Sequence, residues 1–253
     1  METVVVKEED YIVSAVDANL PSVVTIAVLE KRKSRLGFTS ASDTTRRVTE
    51  IGIGFALTKD GVIALPNEIF DKGEEFAVGM RAGGFYALTA LLKDTASGIT
   101  LAQAGKPLAL AEKTNDDAPE ENAVVIDLAK ENTTASAVTF VDAKFADSGK
   151  IKLGQTAIAL GLFNAEPRII LGTISGFGFG EASESKEKHL AVLYTTLASA
   201  PLYNGGPLLD SAGSLMGVTL FGAGQTGTAV SSDVAKTLLA KVIEGKESPK
   251  TGN

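Results

Sequence analysis

PLYNGGPLLDSAGSLMGV, residues 201–218, is the stretch on which the reading of the chain turns. Pro201 opens a turn, and the paired Gly205 and Gly206 allow the backbone to come unusually close to other segments. Pro207-Leu208-Leu209 leads into Asp210-Ser211-Ala212-Gly213, a short reversal of the kind that joins antiparallel strands, and SLMGV restarts an apolar run. Outward from it, Ser22 to Leu29 (SVVTIAVL) reads as a buried strand. Further strands are predicted at 46–58, 62–65, 75–81, 84–92, 99–103, 123–128, 137–141, 155–162, 168–176, 190–196 and 214–221. Their spacing, with Gly, Pro, Asn and Asp between them, favours an all-β barrel or sandwich over βαβ units.

Helices are predicted only at the ends. Glu8, Glu9 and Asp10 precede Tyr11, Ile12, Ala15 and Val16, a short helical stripe with acidic residues at its positive end, stopped by Pro21. Val234, Leu238, Val242 and Ile243 share a face of a closing helix, with Ser231 or Ser232 as N-cap and Gly245 near its end. KRKSRLGFTSASDTT (31–45) reads as a long exposed loop and KTNDDAPEEN (113–122) as an exposed acidic insertion.

Composition narrows the chemistry. The 253 residues are 44% apolar and 22% charged, the balance of a globular chain. With 24 Lys+Arg against 31 Asp+Glu the net charge is −7, the wrong sign for nucleic acid. There is no cysteine, which removes disulfides, thiolate nucleophiles and Cys-ligated metals, and His189 is the only histidine, which removes multi-histidine zinc sites. No cofactor and no metal are expected. No run of 18 apolar residues exists, METVVVKEED lacks a signal-peptide core, and whether a leader or anchor precedes Met1 is not legible.

Several motifs have plain structural readings. GAGQTG (222–227) has the glycine spacing of a dinucleotide loop but no helix directly after it, and it reads, like GFGFGE (176–181), as a glycine-rich β-turn. Asp116, Asp117, Glu120 and Glu121 lack the alternating spacing of a calcium loop. Lys31, Arg32, Lys33 and Arg35 read as a solvated patch, His189 as a surface imidazole before a strand, and Asn132-Thr133-Thr134 as a sequon without a secretory context.

The 201–218 stretch resembles the G-N-S-G-G-P-L motif of HtrA/Deg-type serine proteases, and Gly213, Leu215, Gly217 and Val218 match the G-x-L-x-G-V that follows it there. GIGFALTKDGVIALPNEIF (52–70) is similar to that family's G-S-G-F-I-I-S-x-D-G-Y-I-L-T-N-N-H-V-V, KDTASGITLAQ (93–103) to its D-P-x-S-D-I-A-L, and KLGQTAIALGLFN with LGTISGF (152–177) to its G-N-P and G-I-V-S blocks. PSVVTIAV (21–28) resembles the opening strand and SSDVAKTLLAKVI (231–243) the closing helix. The blocks keep family order across roughly residues 10–243.

The resemblance implies a chymotrypsin-like pair of six-stranded antiparallel β-barrels, at 20–140 (with an insertion near 104–122) and 141–230. They follow an N-terminal segment, 1–19, and precede a C-terminal helix and tail, 231–253, too short for a PDZ domain. It also places the catalytic positions. Asn204 stands where the nucleophilic serine belongs, Glu68 where the histidine belongs, and Gly98 where the aspartate belongs; an alternative register puts Asn122 at the acid position. Leu202 replaces the glycine that gives an oxyanion amide, and Thr196 replaces an aspartate in the cleft wall. The implied protein is a pseudoprotease, a protein- or peptide-binding, scaffold or regulatory module. An extended peptide would lie between Leu202, Tyr203, Asn204 and Gly205 on one side and Leu220, Phe221 and Gly222 on the other. The alternative is an active hydrolase using Ser199 or Ser211 with His189, or water activated by Glu68 beside Asn204. Many relatives of this kind form trimers, which the resemblance permits here without indicating it, and most work in the bacterial envelope or in organelles, which makes an envelope location the expectation for this chain.

Overall fold

The computed structural model describes residues 8–31, 44–81, 83–111, 124–132, 139–181, 188–221 and 226–247. The expected loop 31–45, apart from its ends, the insertion 113–122, Asn122 and Gly222 lie outside them. The first seven strands are β1 (Val23–Lys31), β2 (Thr45–Ala56), β3 (Val62–Pro66), β4 (Phe76–Gly79), β5 (Phe85–Asp94), β6 (Ile99–Leu110) and β7 (Val125–Glu131). They form one sheet in the order β1-β4-β5-β6-β3-β2-β7, and pairing of β1 with β2 and of β6 with β7 brings it round on itself. The other six are β8 (Thr156–Phe163), β9 (Glu166–Glu181), β10 (Lys188–Ala198), β11 (Pro207–Leu209), β12 (Leu215–Leu220) and β13 (Thr226–Ser231), closed as β10-β13-β12-β11-β8-β9.

The sequence leads to six strands in the first barrel, and the sheet has seven. β2 and β6 are 12 residues each, whereas β3 between them has five, so their outer ends outrun their shared neighbour. β7 fills that gap, pairing Asp127, Ile126 and Val125 with Thr45 to Arg47, and Asp127 and Ile126 with Ala109 and Leu110. The strand expected at 137–141 is a second departure. Residues 139–141 are not strand; Phe140 N–H donates to the Lys59 carbonyl at 3.1 Å, and just beyond, Ala143 N–H donates to that of Leu57 at 3.0 Å, so the connection between barrels is strapped to the β2–β3 turn.

Alternation along the strands explains the continuous apolar runs. Val24, Ile26 and Val28 of β1 point into the first barrel with Ile63, Leu65 and Val78, while Val23 points the other way. In β8, Ala157 and Ala159 fill the second barrel with Leu193, Leu208 and Met216, while Ile158 and Leu160 face outward. The outward set meets Ile53, Phe55 and Val218 in a core that joins the two barrels. Both helices, α1 (Glu8–Asn19) and α2 (Ser232–Glu247), close over that seam through Ala15, Val16, Ala235, Leu238 and Val242. Asn19 Nδ2 donates to the Gly213 carbonyl at 3.0 Å, fixing α1 to the β11–β12 hairpin. The side-chain cap expected of Ser231 or Ser232 is not made: the Ser231 hydroxyl donates to the Leu190 carbonyl, and the Ser232 hydroxyl is buried without a partner. No described helix is long and apolar enough to cross a membrane.

Candidate functional site

The decisive turn lies between the barrels. Pro201–Tyr203 form one 3-10 turn, and the next three residues reverse into β11. Four consecutive amides donate inward: Tyr203 to the Ala200 carbonyl at 3.1 Å, Asn204 to that of Pro201 at 3.1 Å, Gly205 to that of Thr219 at 2.8 Å and Gly206 to that of Tyr203 at 3.0 Å. An oxyanion hole needs amides aimed at open space where a carbonyl oxygen will sit, and these four, which do not include Leu202 N–H, are spent on the protein's own backbone.

Packing accounts for the two glycines. Gly205 has φ +96°, and a Cβ there would lie 2.4 Å from the Ile53 carbonyl oxygen and 2.7 Å from Pro66 Cδ, both in the first barrel. A Cβ on Gly206 would lie 2.1 Å from the Leu160 carbonyl oxygen in the second. Gly161 plays the matching part from β8, where a Cβ would come within 2.3 Å of the Leu202 carbonyl oxygen. The turn is thus a wedge with no room for side chains on these faces. Beneath it the buried Thr219 hydroxyl donates to the Tyr203 carbonyl and lies 3.0 Å from that of Gly206.

Gly222 aside, the residues expected to line a peptide groove are brought together, with the rings of Tyr203 and Phe221 packed between them. Tyr203 and Phe221 are both under a tenth exposed and pack edge to face with centroids 6.3 Å apart. Burial pushes the Tyr203 phenol above its usual pKa, with Arg168 pulling weakly the other way. Phe221 lies against Gly227, where a Cβ would fall 2.6 Å from its ring, and the Gly227 carbonyl accepts from the buried Thr195 hydroxyl at 2.7 Å. The Leu220 carbonyl accepts from the Thr228 hydroxyl at 2.6 Å.

Two of the three positions assigned to a triad touch each other. Asn204 Nδ2 donates to Glu68 Oε1 at 2.9 Å, and Asn204 Oδ1 accepts from the Phe221 amide at 3.0 Å, so both ends of the carboxamide are engaged. Glu68 stands on the short turn Asn67–Asp71 that follows β3. Asn67, which sequence reasoning did not single out, holds that turn. Its Oδ1 accepts from the Thr100 hydroxyl at 2.7 Å, its Nδ2 donates to the Asp94 carbonyl at 2.8 Å, and its backbone N–H donates to the Gly98 carbonyl at 2.9 Å. The signal for it was a carboxamide directly after Pro66 at the end of an otherwise apolar strand. Gly98 carries φ +78°, which side chains rarely adopt, and a Cβ there would sit 3.1 Å from Leu220 Cδ1, so any larger residue needs that leucine to shift.

The other candidates lie apart. His189 and Ser199 flank opposite ends of β10, roughly 30 Å apart along an extended strand, and cannot form a dyad. The His189 ring rests against Gly180 on β9. Ser211 lines a cleft of about 220 Å³ under α1 with Tyr11, Asn19, Asp142 and Lys144, and no histidine borders it. The Thr196 hydroxyl accepts from the Thr173 amide at 2.9 Å. Among the described residues no cluster of three His, Asp or Glu side chains is arranged to hold a metal ion.

No family model and no curated protein matches this sequence. A solved structure of an HtrA-type protease, AlgW, with a decapeptide is similar, with TM-score 0.63 and 17% identity over 94% of this chain and 68% of that one. At that identity the likeness speaks for the architecture alone. Together with the closed six-stranded barrel and the seven-stranded sheet beside it, it shows that the chain has the trypsin-like, double β-barrel fold of the HtrA-type proteases.

Proposed function

We propose that this protein is a catalytically silent pseudoprotease, a module that holds protein or extended peptide partners in a scaffolding or regulatory role without cutting them. One observation supports the reading: Asn204, which the resemblance aligns with the nucleophile, donates at 2.9 Å to the carboxylate of Glu68, which it aligns with the base. An amide nitrogen has its lone pair delocalised into the carbonyl and offers no hydroxyl to be deprotonated, so the acyl-enzyme step has no attacking atom. Glu68 cannot relay a proton as an imidazole does. Removing a complete triad in a comparable enzyme costs about 10⁶ in kcat and leaves what an oxyanion hole supplies. The amides of residues 203–206 point inward and add nothing to that remainder. An envelope location and a trimeric state, both suggested by the resemblance to HtrA-type proteins, belong to the same proposal.

The test is incubation of the purified chain with casein and, separately, with a fluorophosphonate probe. Intact casein and an unlabelled band are expected. Casein fragments that disappear in Asn204→Ala or Glu68→Gln would overturn the reading, and labelling lost in Ser211→Ala or Ser199→Ala would revive a serine nucleophile.

A further inference from the structure

We propose that Asn204-Gly205 is a self-modification site, where the asparagine side chain loses its amide nitrogen to attack by the next backbone nitrogen, and that the folded turn holds this site shut through Glu68, Phe221 and Thr219. Neither catalysis nor partner binding by the cleft is required for it.

Asn204-Gly205 is the one asparagine-glycine pair in the chain. With no Cβ on the second residue, nothing there hinders the approach of its nitrogen to the asparagine side chain. In the reaction the Gly205 nitrogen bonds to Asn204 Cγ, and its proton passes through solvent to Nδ2. The Cγ–Nδ2 bond breaks, ammonia leaves, and a five-membered succinimide is closed. Water then opens the ring at either carbonyl. One opening leaves aspartate at 204. The other leaves isoaspartate, whose main chain runs through the side-chain carbons and is one methylene longer.

In the folded turn each reacting group is engaged elsewhere. The buried Gly205 N–H donates to the Thr219 carbonyl at 2.8 Å, which keeps the nitrogen from hydroxide and from turning. Asn204 Nδ2 donates to Glu68 Oε1 at 2.9 Å and Oδ1 accepts from the Phe221 amide at 3.0 Å, so Cγ is tied at both ends. The Asn204 backbone is extended, with φ −67° and ψ 114°, and this aims the Gly205 nitrogen away from the side chain. Ring closure needs ψ swung far to the negative side, outside the strand and helix wells. Reaction therefore waits for the turn to open and these bonds to break together. Its products then keep the turn from closing as before. Aspartate at 204 sets a second carboxylate against Glu68 where a donor stood. Isoaspartate adds a methylene beside Gly205 and Gly206, where a Cβ alone would lie 2.4 Å from the Ile53 carbonyl oxygen and 2.1 Å from that of Leu160.

The full chain, Glu68→Ala and Glu68→Gln are held in mildly alkaline buffer, each both folded and unfolded in urea. Conversion at Asn204 is followed by peptide mapping, as a gain of one mass unit, and by enzymatic methylation of isoaspartate. The folded full chain should convert at least about tenfold more slowly than the same chain in urea, because the rate follows the fraction of open turn. Folded Glu68→Ala should convert about threefold to tenfold faster than the folded full chain, the worth of one hydrogen bond. Glu68→Gln, whose side-chain oxygen still accepts from Nδ2, should stay close to the full chain, and in urea all three should share one rate. The comparison of the full chain folded and in urea needs no variant, and equal rates there, or no conversion in urea, would overturn the proposal. So would folded Glu68→Ala converting no faster than the full chain; if it converted more slowly, the carboxylate would be a base for the reaction and not a restraint on it.

Discussion

The wedge at Gly205 and Gly206 and the cleft positions 68, 98 and 204 occupy one small region and obey different demands. At the wedge the constraint is backbone against backbone: carbonyl oxygens of Ile53 and Leu160 stand where side chains would begin. At the cleft positions no packing requires a serine, histidine or aspartate, and the residues present form a contact of their own between Asn204 and Glu68. On the proposed reading, the protein keeps the shape of the cleft where close packing sets it, and positions 68 and 204, which no such packing fixes, carry residues that cannot do a protease's chemistry. This also explains why the glycines were the most telling part of the sequence although they carry no reactive group.

The sharpest way to break this contrast is Gly206→Ala. The nearest atom to the new methyl is the Leu160 carbonyl oxygen, 2.1 Å away, so the turn must move off β8 to admit it. A loss of about 3 kcal/mol or more is expected, read as a lowered denaturation midpoint. A tolerated alanine would mean the wedge is not what fixes the turn. Gly98→Asp restores the residue type the catalytic position calls for and should still cost about 1–3 kcal/mol, because φ is +78° and Leu220 crowds the site. A neutral effect on melting would show that the acid position is open after all. A control far from the cleft sharpens the comparison. At the β8–β9 hairpin Asn164 and Ala165 both have positive φ, +52° and +61°, and alanine, unlike asparagine, gains nothing from that conformation. Ala165→Gly should raise stability by about 0.4–1 kcal/mol, measured by urea unfolding.

What the sequence revealed and what it hid follow the same division. The alternating and continuous apolar runs, the two terminal helices and the glycine turn were legible because each is encoded within about ten neighbouring residues. β11, with three residues, and β13, which begins Thr226-Gly227, were too short or too glycine-rich to stand out. β7 was legible as a strand, but its bridging role depends on the unequal lengths of β2, β3 and β6, which only the folded sheet displays. At the cleft, the resemblance supplied Asn204 and Glu68 as substituted positions. Their hydrogen bond spans 136 residues of chain, and no local pattern announces it. Nor does a pattern announce that the amides at 203–206 turn inward, since that depends on Thr219 and on the carbonyls of the turn itself.

The most direct measurement is a rapid-mixing experiment with p-nitrophenyl acetate at protein concentrations comparable to the ester, following nitrophenolate release in the first seconds. The chain should give no burst, only a slow linear release that Asn204→Ala and Glu68→Gln leave unchanged. A burst approaching one nitrophenolate per chain, abolished by a single substitution in the cleft, would mean that an acyl-enzyme forms and that this protein is an enzyme.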